Sequence, residues 1–91
     1  MTDREKINNL QRYFETQSRK LRILNEDAQC ELLNDNPPMY AEFSRRFGET
    51  YTEMQTAMTI AYMLGYCVNF EDWETCGFKL GGNPVITRRE A

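Results

Sequence analysis

Ile7, Leu10, Phe14, Leu21, Leu24 and Ala28 fall at steps of three, four and seven along the chain, with polar residues filling most of the positions between them. That spacing puts all six on one face of a helix. Gln17 takes the polar position within the stripe and Glu31 closes it, which makes the stripe a heptad seam. Thr2, followed three residues later by Glu5, forms a capping box, so helix one is expected over about 3–33. At 1.5 Å per residue it reaches about 45 Å, longer than a compact domain of this size requires.

Asn34-Asp35-Asn36-Pro37-Pro38 gives two reasons to turn. Asx side chains bond nearby backbone amides, and proline forbids the helical conformation in the residue before it. Asn36 and Pro37 also suit the N-cap and first position of a second helix, so the two helices should form an antiparallel hairpin. Helix two, expected over about 37–67, carries Tyr40, Phe43, Phe47, Tyr51, Met54, Met58, Ala61, Leu64 and Val68 on one face. Gly48 interrupts it and Thr50 with Glu53 makes a second capping box, but the seam stays in phase, so a continuous helix bent near Gly48 is expected.

Asn69 reads as the N-cap of a short third helix over about 70–76, with Gly77 as its left-handed terminator. In the tail, 77–91, Phe78-Lys79-Leu80 and Val85-Ile86-Thr87 flank Gly81-Gly82-Asn83-Pro84 and predict a small β-hairpin or an extended segment. The expected fold class is therefore all-α: one domain, 1–91, built on a helical hairpin.

Helix two is apolar on more than one face between Met54 and Val68. One partner helix does not cover all of it, so the segment containing Phe70, Trp73, Phe78, Leu80, Val85 and Ile86 folds back, or a second copy makes a dimeric helical bundle, or both operate together. The long seam of helix one favours the homodimer. Leu21, Leu24, Met54, Met58, Met63 and Trp73 are the expected protein-interface residues, Trp73 as an anchor among Glu71, Asp72 and Glu74.

Composition narrows the chemistry. The 91 residues are 41% hydrophobic and 27% charged, which suits a globular domain. With no histidine, the chain lacks the commonest general base and metal ligand, and Ser-His-Asp and Cys-His catalysis is excluded. Cys30, Cys67 and Cys76 form no CxxC pair, and Gly81-Gly82-Asn83-Pro84 has no phosphate-loop lysine. No catalytic residue, metal or cofactor is expected. The charged opening, Met1 to Lys6, lacks an apolar leader, so reduced thiols and a cytoplasmic setting are expected. The uncharged run Met54–Phe70 is too short and too polar for a membrane span.

Eleven basic against fourteen acidic residues give a net charge of -3, against a dedicated polyanion binder. Charge is nonetheless segregated: residues 1–25 hold six basic and three acidic groups, residues 26–35 four acidic and none basic. Arg12, Arg19, Lys20 and Arg22 could follow a phosphate backbone, although Glu15 and Glu26 interrupt them. The expected function is a small non-enzymatic interaction module, homodimeric, that binds a surface of another protein. The alternative is a phage or mobile-element accessory protein that binds nucleic acid or a host defence component, in the manner of an anti-CRISPR inhibitor; it rests on small size and missing catalytic groups.

Overall fold

Thr2 opens the first helix as its capping box requires, its hydroxyl accepting the Glu5 amide at 3.2 Å. The computed structural model describes residues 2–90. Helix α1 runs Asp3–Leu33 and helix α2 Pro37–Met63, with Pro37 and Pro38 in the first turn, where a missing amide costs nothing. Asn36 is the N-cap by position, but its side-chain amide donates to Glu31 at 2.9 Å and ties the turn back to α1. The helical hairpin and its boundaries on this side are as expected. Helix α2 passes through Gly48 without a break.

Beyond Met63 the structure departs from expectation. Helix two does not reach residue 67: Leu64 is its C-cap, and Gly65, at φ 100°, turns the chain out of the helix in a conformation that favours glycine. Tyr66–Glu71 is then a strand, β1, where the seam predicted more helix and the start of a short helix at 70. The short helix α3 is only Trp73–Cys76, entered through Asp72 at φ 62° and closed by Gly77 at φ 82°. A 3-10 turn, Lys79–Gly81, follows, and strand β2 spans Asn83–Arg88. The ribbon therefore pairs β1 with β2, antiparallel, in a register that sets Tyr66 against Arg88, Val68 against Ile86 and Phe70 against Pro84. The expected pairing of 78–80 with 85–87 does not occur. The fold class is corrected accordingly, from all-α to a helical hairpin carrying a two-stranded sheet.

The ribbon obeys period two. Tyr66, Val68, Phe70, Pro84 and Ile86 are buried, while Asn69, Glu71, Asn83 and Thr87 face water. A two-stranded ribbon is marginal alone, and it is held here by packing on the root of the hairpin: Phe14 and Leu21 from α1, Met54 and Ala61 from α2, and Leu80 from the 3-10 turn. Each such side chain removed from water contributes about 1.5 to 3 kcal/mol. The fold-back that the sequence allowed as a cover for helix two forms: Phe70, Leu80 and Ile86 are buried and Phe78 and Val85 partly so, while Trp73 stays on the surface. Phe78 meets Phe47 edge to face, with ring centroids 5.1 Å apart.

Polar bonds fix the ribbon's position on α1. The fully buried Ser18 hydroxyl donates to the Leu80 carbonyl at 2.7 Å, and the Gln11 side-chain amide donates to the Pro84 carbonyl at 2.6 Å. Both satisfy backbone oxygens that the ribbon's own ladder leaves free, which is worth more than the bond alone because a buried orphan carries a desolvation penalty. Gly82 sits where the chain passes closest to β1; a Cβ there would run into the Glu71 carbonyl oxygen and the Trp73 amide.

Two glycine substitutions should therefore differ in sign. Gly82→Ala is expected to destabilise by about 2 kcal/mol or more, because the obstacle is backbone. Gly48→Ala, in a helix with open space around it, should stabilise by about 0.5 to 1 kcal/mol. Urea unfolding of both variants beside wild type checks the pair.

Candidate functional site

Core packing disposes of half the expected interface. Leu21 and Met54 have no solvent exposure, and Leu24 is buried between the helices, so these three serve the chain's own core and present nothing to a partner. Met58 is half-buried against that core. Only Met63, 72% exposed, and Trp73, 42% exposed, remain on the surface, and they stand on different elements.

The exposed apolar surface lies instead in two other places. The first is an open groove between α1 and α2 at the root of the hairpin. A cavity of about 360 Å³ there is lined by Lys6, Asn9, Leu10, Leu64 and Tyr66. A second, of about 370 Å³, is lined by Tyr13, Ala57 and Ile60 with Thr52, Glu53 and Thr56. Ile60 and Leu64, four residues apart and therefore on one face of α2, are 53% and 71% exposed. Ile60 lies off the seam through Met54 and Ala61, whereas Leu64 is a predicted seam position that caps α2 and stays uncovered.

The second place is the far end of the hairpin, where Leu32 and Leu33 close α1 and Met39 opens α2. Leu33 is 86% exposed. A small apolar hollow of about 90 Å³ lies beside it, lined by Leu32, Pro37 and Tyr40 together with Glu31, Asp35 and Asn36. The molecule measures 50 Å along its long axis, and the ribbon covers only the root, so this tip stands clear. Asp35, at φ 53°, makes the turn between the helices. Acidic groups crowd the last turns of α1 with no basic residue among them.

The root of the groove is tied by one carboxylate. Asp3 accepts a hydrogen bond from the Tyr66 phenol at 2.8 Å and another from Arg88 at 2.6 Å, and these two residues face each other across the ribbon. The hydrogen bond to Asp3, then burial and the Asp3 charge, push the Tyr66 phenol pKa up, while Arg88 opposes. Arg89 adds its amide to the Gly65 carbonyl at 2.8 Å and places its guanidinium 4.8 Å from the centroid of the Tyr62 ring. Farther along α2, Glu42 pairs with Arg45 at 2.7 Å and Arg46 at 2.9 Å, and those hydrogen bonds hold its pKa below the usual carboxylate value.

The four basic candidates separate. Arg19 and Arg22 lie on the flank of α1 beside β2, Arg12 stands two turns before Arg19 on nearly the same line of the helix, and Lys20 lies about 100° round the helix from Arg19. Arg19 and Arg22 line a polar cleft of about 180 Å³ with Gln11, Ser18, Asn83 and Pro84, but Glu15 lines it too. The three cysteines are unpaired thiols, with Cys30 exposed. Among the described residues, no group of three or more His, Cys, Asp and Glu side chains is placed to hold a metal ion, and no helix is long and apolar enough to cross a membrane.

Compared with protein-family models, with curated proteins and with solved structures, the chain matches none.

The Asp3 closure has a pH signature. A phenol whose pKa is raised by folding contributes stability below the ordinary tyrosine pKa of about 10 and loses it as pH rises through the folded value. Wild type should therefore lose thermal stability more steeply above about pH 10 than Tyr66→Phe does. Melting temperatures of the two proteins between neutral pH and pH 11 test this; parallel curves would count against the Asp3 bond.

Proposed function

We propose that this chain is a small, non-enzymatic protein-interaction module, homodimeric and cytoplasmic, that works by laying apolar helical surface against another protein. One observation carries the reading. After the ribbon has folded back and filled the core, large apolar side chains remain exposed at the root groove, with Tyr13, Ile60 and Leu64, and at the hairpin tip, with Leu32, Leu33 and Met39, while Ile23 and Trp73 stand apart. Exposed leucines at the end of a stiff helical hairpin, bordered by Glu31 and Asp35, suit a partner with an apolar cleft and basic rim. The absence of histidine, the commonest general base, supports a non-catalytic role. Three free thiols suit a reducing cytoplasm.

A photoreactive side chain placed at Leu33 and expressed in the native host tests the tip. The expected result is a discrete higher-mass adduct that is lost on adding Leu32→Asp and absent when the probe is moved to the exposed polar position Asn8. An adduct pattern that does not distinguish position 33 from position 8 would sink the reading.

A second reading keeps one specific support: Arg12, Arg19 and Arg22 on a single flank of α1, two of them in the polar cleft. It predicts binding to a single-stranded oligonucleotide that weakens steeply with salt and disappears in the Arg12→Glu, Arg19→Glu, Arg22→Glu triple variant. No binding by wild type at about 20 mM salt eliminates it.

A further inference from the structure

The groove at the root of the hairpin has an internal polarity. Along α2 from Leu64 to Thr52 it spans twelve residues, about 18 Å. Its floor and walls are Leu10, Tyr13, Ala57, Ile60 and Leu64. Of all the residues lining its two cavities, Lys6 is the one cation and Glu53 the one anion, and they stand at opposite ends. Both are exposed, and among the described residues neither has a charge partner within the chain.

A strip that is apolar along its length, positive at one end and negative at the other, is complementary to itself under a two-fold rotation. Turning a second copy about an axis through the middle of the groove, between Tyr13 and Ile60, sets the ends in opposite order. Lys6 of each protomer then meets Glu53 of the partner subunit, twice, while the exposed faces of Ile60 and Leu64 are covered. A partner of different sequence would satisfy such a strip only by carrying the same pattern reversed, and a second copy carries it by symmetry. We propose that the groove is the surface through which two copies of this chain associate, antiparallel, with a Lys6–Glu53 pair at each end.

The extent of the groove sets the strength. About 18 Å of length on a molecule about 20 Å across gives a footprint of roughly 400 Å² per protomer, about half that of a standard stable interface. The dimer is therefore a weak, reversible one. The charged pairs lie at the rim, where they set register and orientation more than affinity. This geometry differs from a bundle built on the seam, because Leu21 and Met54 are already covered by the chain's own ribbon. The inference rests on the interaction-module reading and names its homodimer surface; a monomeric protein that still gives the Leu33 adduct overturns the homodimer and leaves the binding of another protein at the tip standing.

Light scattering on the whole chain from about 1 to about 500 µM should show the mass rising from one protomer to two and stopping there. Ile60→Asp should keep the protein monomeric throughout. Lys6→Glu puts two acidic groups at each contact and Glu53→Lys two basic ones, so each variant alone should dissociate at least about tenfold more readily than wild type. An equimolar mixture of the two restores opposite charge at both ends and should recover the dimer as a mixed species. Both positions are exposed and helical, and unchanged circular dichroism shows that each variant is folded. A wild type monomeric at about 500 µM, growth beyond two protomers, or a mixture that assembles no better than its components overturns the proposal.

Discussion

A two-stranded ribbon in water leaves one row of apolar side chains with no second layer, and everything else in this molecule follows from how that row is covered. Tyr66, Val68, Phe70, Pro84 and Ile86 make the row, and only the root of the helical hairpin, between Phe14 and Ala61, is broad enough to receive it. Once the ribbon is seated, the seam side of helix two is covered, while Ile60, Tyr62 and Met63 on its other faces stay exposed. The seam residues Leu21 and Met54 disappear from the surface, Ser18 and Gln11 acquire backbone carbonyls as partners, and the distal half of the hairpin is left as a bare pair of helices. The hairpin tip lies beyond the ribbon, and the root groove borders it at Tyr66.

Much of this was legible in the residues. Helix α1 was read with both ends correct because three independent signals agree there: a capping box at Thr2, an unbroken seam, and the Asx-Pro turn. Strand β1 was not, and the reason lies in a coincidence of periods. Leu64 and Val68 continue the helical spacing from Met54 and Ala61, while Tyr66, Val68 and Phe70 alternate with Cys67 and Asn69 as a strand does. Val68 satisfies both. What decides is Gly65, whose left-handed backbone ends α2 before the helical pattern can continue. The ribbon pairing was missed for a related reason: Gly81-Gly82-Asn83-Pro84 looks like a tight hairpin turn, yet Gly82 is required there for its closeness to Glu71, and Asn83 and Pro84 already belong to β2.

The candidate site was harder to find from the residues alone, for a physical reason. Periodicity identifies side chains that are buried, and a binding surface on a folded protein is made of those that are not. Most of the strongest seam positions therefore named the core, whereas Ile60 and Leu33 carry no periodic signal beyond being apolar where the seam does not need them, and Leu64, a seam position by its spacing, caps α2 and stays exposed. Trp73 and Met63 stayed exposed because neither lies on the row or on the seam.

The bonds between α1 and the ribbon also join parts of the chain that are far apart along it: Ser18 to Leu80 spans 62 residues, Gln11 to Pro84 73, and Asp3 to Arg88 85. The helical hairpin, by contrast, closes over a loop of three residues, 34–36. Closing a long loop costs entropy that grows with the logarithm of its length, and nothing repays it until both ends are in contact. The helices consequently pair early, on local contacts, and the ribbon docks last, onto a surface already formed. For that interval the newly made hairpin stands without its cover, and because β1 begins three residues after α2 ends, pairing of the helices shortens the loop that the ribbon must still close to the segment beyond Met63.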